Sequence, residues 1–200
     1  MQKWRIGIDE AGRGPLAGPV AVGAVLVTAD FDWQLVSGVD DSKKLSEARR
    51  NAVFDTACSL KRDGVLDWQV TLIGPQIIDD IGIVPSVRKG IARTIAALEK
   101  RNAFVPKSVE VLLDGALRAP TRFGRQRTII GGDGLEQCIG LASILAKVRR
   151  DRYMTRLAKR YPQYEFAVHK GYGTKRHCAC ILEHGLSDVH RRSFCRGLRV

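Results

Sequence analysis

Residues 9–20 read Asp-Glu-Ala-Gly-Arg-Gly-Pro-Leu-Ala-Gly-Pro-Val. Upstream, Trp4, Ile6 and Ile8 alternate with polar or small residues, so Lys3–Asp9 is expected to be a strand that ends in two carboxylates, Asp9 and Glu10. Downstream, Val20–Val27 has the composition of a second strand. A dinucleotide fingerprint would need GxGxxG opening a helix. Here the glycines fall at 12, 14 and 18, and Pro15 and Pro19 lead into a strand instead. The phosphate-loop motif is absent too. By spacing alone the stretch is a plain turn. Yet an arginine between two glycines lets backbone approach a sugar or phosphate closely, which a merely structural turn does not require.

Further along, Leu66, Trp68, Val70 and Leu72 suggest a third strand, and Val87, Ile91, Ile95 and Leu98 recur at helical spacing within Ser86–Lys100. Val109, Val111 and Leu113 form a strand that ends at Asp114. Arg127–Ile130 is a short strand leading to the turn Gly131–Gly134, which contains Asp133. A helix is expected from Glu136 to about Arg160, where Tyr161-Pro162 ends it, and another over Lys175–His184, stopped by Gly185. Strands first as a hairpin and later followed by helices indicate an α/β protein, with a mixed sheet flanked by helices.

The chain has 200 residues, enough for one domain that buries roughly 70% of its unfolded surface without disulfides. Five cysteines lack scaffold spacing and suit a reducing compartment, and His177, Cys178, Cys180 and His184 match no common zinc pattern. No apolar run approaches ~18 residues, which argues against a membrane-spanning helix, and no signal-peptide pattern opens the chain. A cytoplasmic protein is expected. Residues 1–100 carry thirteen basic and thirteen acidic side chains, residues 101–200 twenty and eight, so the entire net charge of +12 belongs to the second half. Such a concentration is the footprint of a polyanion binder.

Asp9, Glu10, Asp114 and Asp133 all sit at strand ends or in the turn before the basic helix, where reactive groups of α/β proteins gather. Aspartates there also cap turns. If the four converge, their repulsion demands cations, and hard oxygen ligands suit Mg²⁺ or Mn²⁺. Two such ions could stabilise the attacking and leaving oxygens of a phosphoryl displacement. His169 and His190 are read as structural. No Ser/His/Asp or Cys/His constellation stands out.

Residues 9–20 resemble the signature of type 2 ribonuclease H (ribonuclease HII). The likeness continues through Asp41-Ser42-Lys43-Lys44-Leu45-Ser46, Leu113-Asp114-Gly115, Ala142-Ser143-Ile144-Leu145-Ala146-Lys147-Val148 and Arg150-Asp151-Arg152-Tyr153-Met154. It closes with His169-Lys170-Gly171-Tyr172-Gly173-Thr174 and His190-Arg191-Arg192-Ser193-Phe194. These landmarks keep the family's order and cover nearly the whole chain. The resemblance implies a ribonuclease H-like fold across residues 1–200, with about 162–200 as a helical, substrate-binding C-terminal part. It implies that Asp9, Glu10, Asp114 and Asp133 hold Mg²⁺ or Mn²⁺, two ions in the substrate complex. Gly12, Arg13 and Gly14 would read the ribose 2′-hydroxyl and adjacent phosphate, and Tyr172 would pack on the deoxyribose that follows. Lys43, Ser143 and Lys147 would contact the backbone.

The expected activity is endonucleolytic hydrolysis of RNA in RNA–DNA hybrids and 5′ of single ribonucleotides in duplex DNA, leaving 5′-phosphate and 3′-hydroxyl ends. A monomer is expected, and contact with a replication clamp is left open. Gly131 stands where the family often has lysine, and Gly140 and Leu141 where it usually has alanine, which should make the helix locally looser and bulkier. The rivals are a hybrid-binding protein without catalysis and a type 3 enzyme, which needs several consecutive ribonucleotides and has an extra N-terminal domain. A basic membrane-surface protein comes third, and the chain lacks a helix with a broad apolar face for it.

Overall fold

The alternating run at the start of the chain forms β1 (Trp4–Ala11), and the loop after it returns the chain as β2 (Val20–Thr28). The computed structural model describes residues 3–39 and 44–198. Next come α1 (Glu47–Arg62), β3 (Asp67–Ile73), α2 (Pro75–Ile81), α3 (Ile83–Asn102), β4 (Val109–Asp114) and β5 (Gln126–Ile129). The chain then turns helical, with α4 (Gly132–Leu135), α5 (Gln137–Arg160), α6 (Phe166–His169) and α7 (Lys175–His184). Lys43, expected to contact the backbone of the substrate, lies outside the described residues.

The strands form one mixed sheet in the order β3-β2-β1-β4-β5. β1 pairs antiparallel with β2 and parallel with β4, and β4 pairs parallel with β5. The carboxyl ends of β1, β4 and β5 therefore share one edge of the sheet, where chemistry collects in folds of this kind. Helices cover both faces. On one, Ile6, Ile8, Val22 and Leu26 meet Val87, Ile91, Ile95 and Leu98 of α3, each side chain at most 2% exposed. Their spacing of three and four is the stripe expected of a helix that docks on a sheet, and each such burial contributes roughly 1.5–3 kcal/mol. On the other face, Ala21 and Val25 meet Leu141, Ala142 and Leu145 of α5 and Val53, Phe54 and Ala57 of α1. The mixed sheet flanked by helices is the one the sequence pattern implies.

α1 and α2 have no counterpart in that pattern. α1 buries only Val53, Phe54 and Ala57, a stripe too narrow to stand out among its charged neighbours. Ser46 caps it by accepting a hydrogen bond from the Arg49 amide. The C-terminal part builds a third cluster, in which Met154 and Leu157 of α5 pack with Tyr164, Phe166, Ile181 and Ala17. An isolated bridge between Ala17 and His190 ties this part to the loop after β1. No helix among the described residues is long and apolar enough to cross a membrane.

α5 lies almost on the backbone of β1 and β2. A Cβ on Gly7 would sit 2.3 Å from the Cys138 carbonyl carbon, and one on Gly23 would sit 2.4 Å from the Ala142 carbonyl oxygen. Gly23 pairs directly with Asp9, so this close approach of α5 also helps to bury that carboxylate. Gly140 is a close approach too, because its missing Cβ leaves room for the Asp133 carbonyl at 2.7 Å. That is tight packing at a position where a looser helix was expected. Gly23→Ala should force α5 off the sheet and cost about 1–3 kcal/mol, read as a lower urea midpoint at unchanged slope.

Candidate active site

β1 and β4 run parallel in a register that pairs Ile8 with Leu113. One step further along stand Asp9 and Asp114, on adjacent strands and, by the alternation of strand side chains, on the same face as α5. Asp9 is 5% exposed. It accepts a hydrogen bond from the Ser143 side chain, and its Oδ1 accepts one from the Glu10 amide at 2.7 Å. Burial, then the charges of Glu10 and Asp114, push its pKa up to about 8. Glu10 is also raised, chiefly by burial, although Arg13 works against the shift through a salt bridge at 3.2 Å. The second carboxylate oxygen of Glu10, Oε2, is buried without a hydrogen-bond partner. Asp114 is anchored by the Gly132 amide, which donates to its Oδ1 at 2.8 Å.

A cavity of about 260 Å³ gathers these groups. Asp9, Glu10 and Asp114 line it together with Gly12, Arg13 and Gly14, with Ser143 and Lys147 of α5, and with Tyr172. Nine of the residues expected in the site thus open onto one space. Asp133 does not line it. It sits half-buried in α4, one residue from the Gly132 amide that holds Asp114. Among the described residues, no three His, Cys, Asp or Glu side chains form a ready-made metal cage. The donor set nevertheless fits a hard divalent ion. The unpartnered Glu10 oxygen and the raised Asp9 mark carboxyl groups whose ionised forms the protein itself does not compensate. Lys147 offers little relief, since its ammonium is engaged by Asp151 at 2.8 Å.

Two buried arginines build the loop. The Arg191 side chain is fully enclosed and donates to three carbonyls, Gly12 at 2.7 Å, Arg13 at 2.8 Å and Gly18 at 2.9 Å. Arg150 donates to Pro19 at 2.9 Å and Ala17 at 3.3 Å. Burial, then the charge of Arg150, lowers the Arg191 pKa to about 9. Gly12 has φ +83°, and a Cβ there would stand 1.8 Å from Arg150 Nε, so glycine is obligatory. Neither arginine role was foreseen from sequence. Both residues stand in the quoted motifs, but in so basic a half nothing separates an arginine that binds outward from one that holds backbone inward.

Tyr172 is 43% exposed, and the Arg150 guanidinium lies 5.7 Å from its ring centre. Beneath it runs a chain of neutral histidines. The Ser187 amide donates to His190 Nδ1 at 3.0 Å, and His190 Nε2 faces His177 Nε2 at 3.2 Å. His177 Nδ1 donates to the Tyr172 carbonyl at 2.9 Å. His169 stacks on His177 with ring centres 4.2 Å apart. Burial lowers His177 and His190 to about 4, so the chain stays uncharged at neutral pH. His169 and His190 are held by backbone groups, in keeping with the structural role read for them, and His177 joins them.

A ribonuclease HII family model matches residues 6–197. Ribonuclease HII of Endomicrobium trichonymphae is 40% identical over 188 residues, covering 94% of this chain and 83% of that protein. Ribonuclease HII of Bacillus mycoides (strain KBAB4) is 43% identical over 188 residues, covering 94% and 67%. Among solved structures, ribonuclease H2 from Pyrococcus horikoshii OT3 superposes with a TM-score of 0.75 at 27% identity, covering 98% of this chain and 96% of that one.

In the metal-free protein, Asp9 is still protonated over a range where the unfolded carboxyl, at 3.8, has ionised. Its contribution therefore favours folding less and less as pH rises from about 4 to about 8. Asp9→Asn removes this penalty. With metal chelated, the melting temperature of the variant should exceed that of wild type by on the order of 5 °C at pH 8, a gap that closes near pH 4.

Proposed function

The chain belongs to the ribonuclease HII family, and from that premise we propose a metal-dependent endonuclease that cuts 5′ of a ribonucleotide embedded in duplex DNA. As a member, it is a type 2 ribonuclease H that cleaves the RNA of RNA–DNA hybrids. The observation that supports the finer reading is the shared cavity. Three acids, the Gly12–Gly14 loop and Tyr172 open on a single space of about 260 Å³, so a scissile phosphate and its ribose can be held together.

Asp9, Glu10 and Asp114 would hold Mg²⁺ or Mn²⁺, with Asp133 approaching from the turn beside Asp114. Such ions keep several waters and lean on substrate phosphates, so they do not require a closed protein cage. When bound, they would polarise the phosphoryl group and supply a nucleophilic water, with two ions in the substrate complex. The chain's own groups position the duplex. The Arg13 loop, locked by Arg191, reads the 2′-hydroxyl and its phosphate, which is how RNA is told from DNA. Tyr172, held up by His177, stacks on the deoxyribose that follows. Ser143 and Lys147 meet the backbone, and residues 162–200 support the duplex beside Tyr172. Cleavage leaves 5′-phosphate and 3′-hydroxyl ends. The five cysteines are free thiols, as suits the reducing cytoplasm, and the protein is taken to act as a monomer.

A duplex with a single ribonucleotide should be cut once, on its 5′ side, and only with divalent metal, while an all-deoxy control stays intact. A type 3 enzyme would leave both uncut. Asp114→Asn should lower kcat at least about 100-fold, yet bind the same duplex in chelator within about threefold of wild type. Tight binding by a wild-type chain that never cuts would favour the hybrid-binding rival instead.

A further inference from the structure

Arg13 serves two openings. Besides the catalytic cavity, it lines a smaller one of about 210 Å³, walled by the first turns of α3 and by the segment just after β4. Val87 and Leu117 are its buried apolar floor, and Arg88 and Arg118 stand exposed at its rim. Three guanidinium groups and no carboxylate line this space. Among the described residues, neither Arg88 nor Arg118 makes a hydrogen bond or an ion pair.

Other exposed arginines, such as Arg62, Arg93 and Arg149, also make no hydrogen bond or ion pair among the described residues, so what sets these two apart is that they converge on one opening with Arg13. Several arginines elsewhere on this surface are paired. Arg5 pairs with Glu110, Arg101 with Asp67, Arg122 with Glu99 and Arg176 with Glu165. A larger opening between α1 and α5 also holds arginines, but Glu47 and Asp151 share it, and Arg152 there is already engaged by Asn51 and Asp55. Arg13 is already paired with Glu10, so Arg88 and Arg118 are the two cations here without an acid, and they repel one another unless an anion joins them. The smaller opening has room for about seven waters, enough for one phosphate group and its hydration.

We propose that Arg88 and Arg118, together with Arg13, bind one backbone phosphodiester of the duplex next to the one being cut. The proposal rests on the nuclease reading above. Arginine forks match the paired oxygens of a phosphate, and such contacts fix the register of a strand rather than its sequence. Position supports the assignment. Ala116–Arg118 follow the cavity-lining Asp114 by two to four residues, and Arg13 belongs to the loop that touches the ribose. A strand held in the catalytic cavity therefore passes this second opening, and anchoring its neighbouring phosphate fixes the scissile one over the acids.

The test compares full-length wild type with the double variant Arg88→Ala/Arg118→Ala on a single-ribonucleotide duplex. The variant should raise KM about tenfold and leave kcat within about twofold. In chelator, its binding should depend less steeply on salt, the slope of log K against log salt falling by about one unit, near 0.9 for the one phosphate no longer neutralised. Arg88→Lys/Arg118→Lys should recover most of that slope, because the charge remains. Trimming the cleaved strand from either end should reach a length at which wild type and the alanine variant coincide. A gap that persists at every length would mean that something other than strand phosphate occupies the opening, and the proposal falls. It also falls if KM and salt slope are unchanged in a variant that melts like wild type, even while wild type cuts normally. A wild-type chain that leaves the duplex uncut would instead remove the nuclease reading.

Discussion

Carboxylates brought side by side at the end of a buried sheet cannot all keep their charge without help. Asp9 is almost sealed from solvent, Asp114 is its neighbour in register, and Glu10 has an oxygen with no partner. The cations at hand do little. Lys147 is taken by Asp151, and Arg13 reaches only one oxygen of Glu10. The fold accepts this repulsion because α5 presses onto Gly7 and Gly23 and keeps Asp9 almost sealed from solvent. In the proposed account, the missing positive charge arrives with metal ions and is retained by the substrate phosphate.

The second constraint is rigidity around that charge. A loop meant to discriminate a single hydroxyl must be held to within a fraction of an ångström. Arg191 does this by spending its side chain on the carbonyls of Gly12, Arg13 and Gly18, with Arg150 on those of Ala17 and Pro19. The histidine chain from Ser187 to the Tyr172 carbonyl fixes the opposite wall. The two supports meet, since the Leu16 amide donates to the Gly171 carbonyl at 2.8 Å and the Arg191 amide to the Leu16 carbonyl at 2.7 Å. The C-terminal part is thus continuous with the loop after β1, and buried polar groups satisfied in this way hold a geometry sharply.

The strands were legible because alternation is a short-range signal, and the acids at the ends of β1 and β4 followed from it. α3 announced itself through four apolar side chains at helical spacing. α1 did not, having only three buried residues amid charge. The arginines show where local pattern stops. Arg150 and Arg191 support backbone while Arg88 and Arg118 face an opening, yet all four are the same letter in a basic chain, and only burial distinguishes them. Asp133 is intermediate: the turn before α5 was visible, but its position beside Asp114 depends on the Gly132 hydrogen bond, a tertiary contact.

The most direct measurement of the central claim is a Mn²⁺ titration followed by electron paramagnetic resonance, with the free ion as the signal. The account predicts that wild type withdraws the ion from solution and that Asp9→Asn and Asp114→Asn each leave it free. Equal uptake by all three proteins would contradict it.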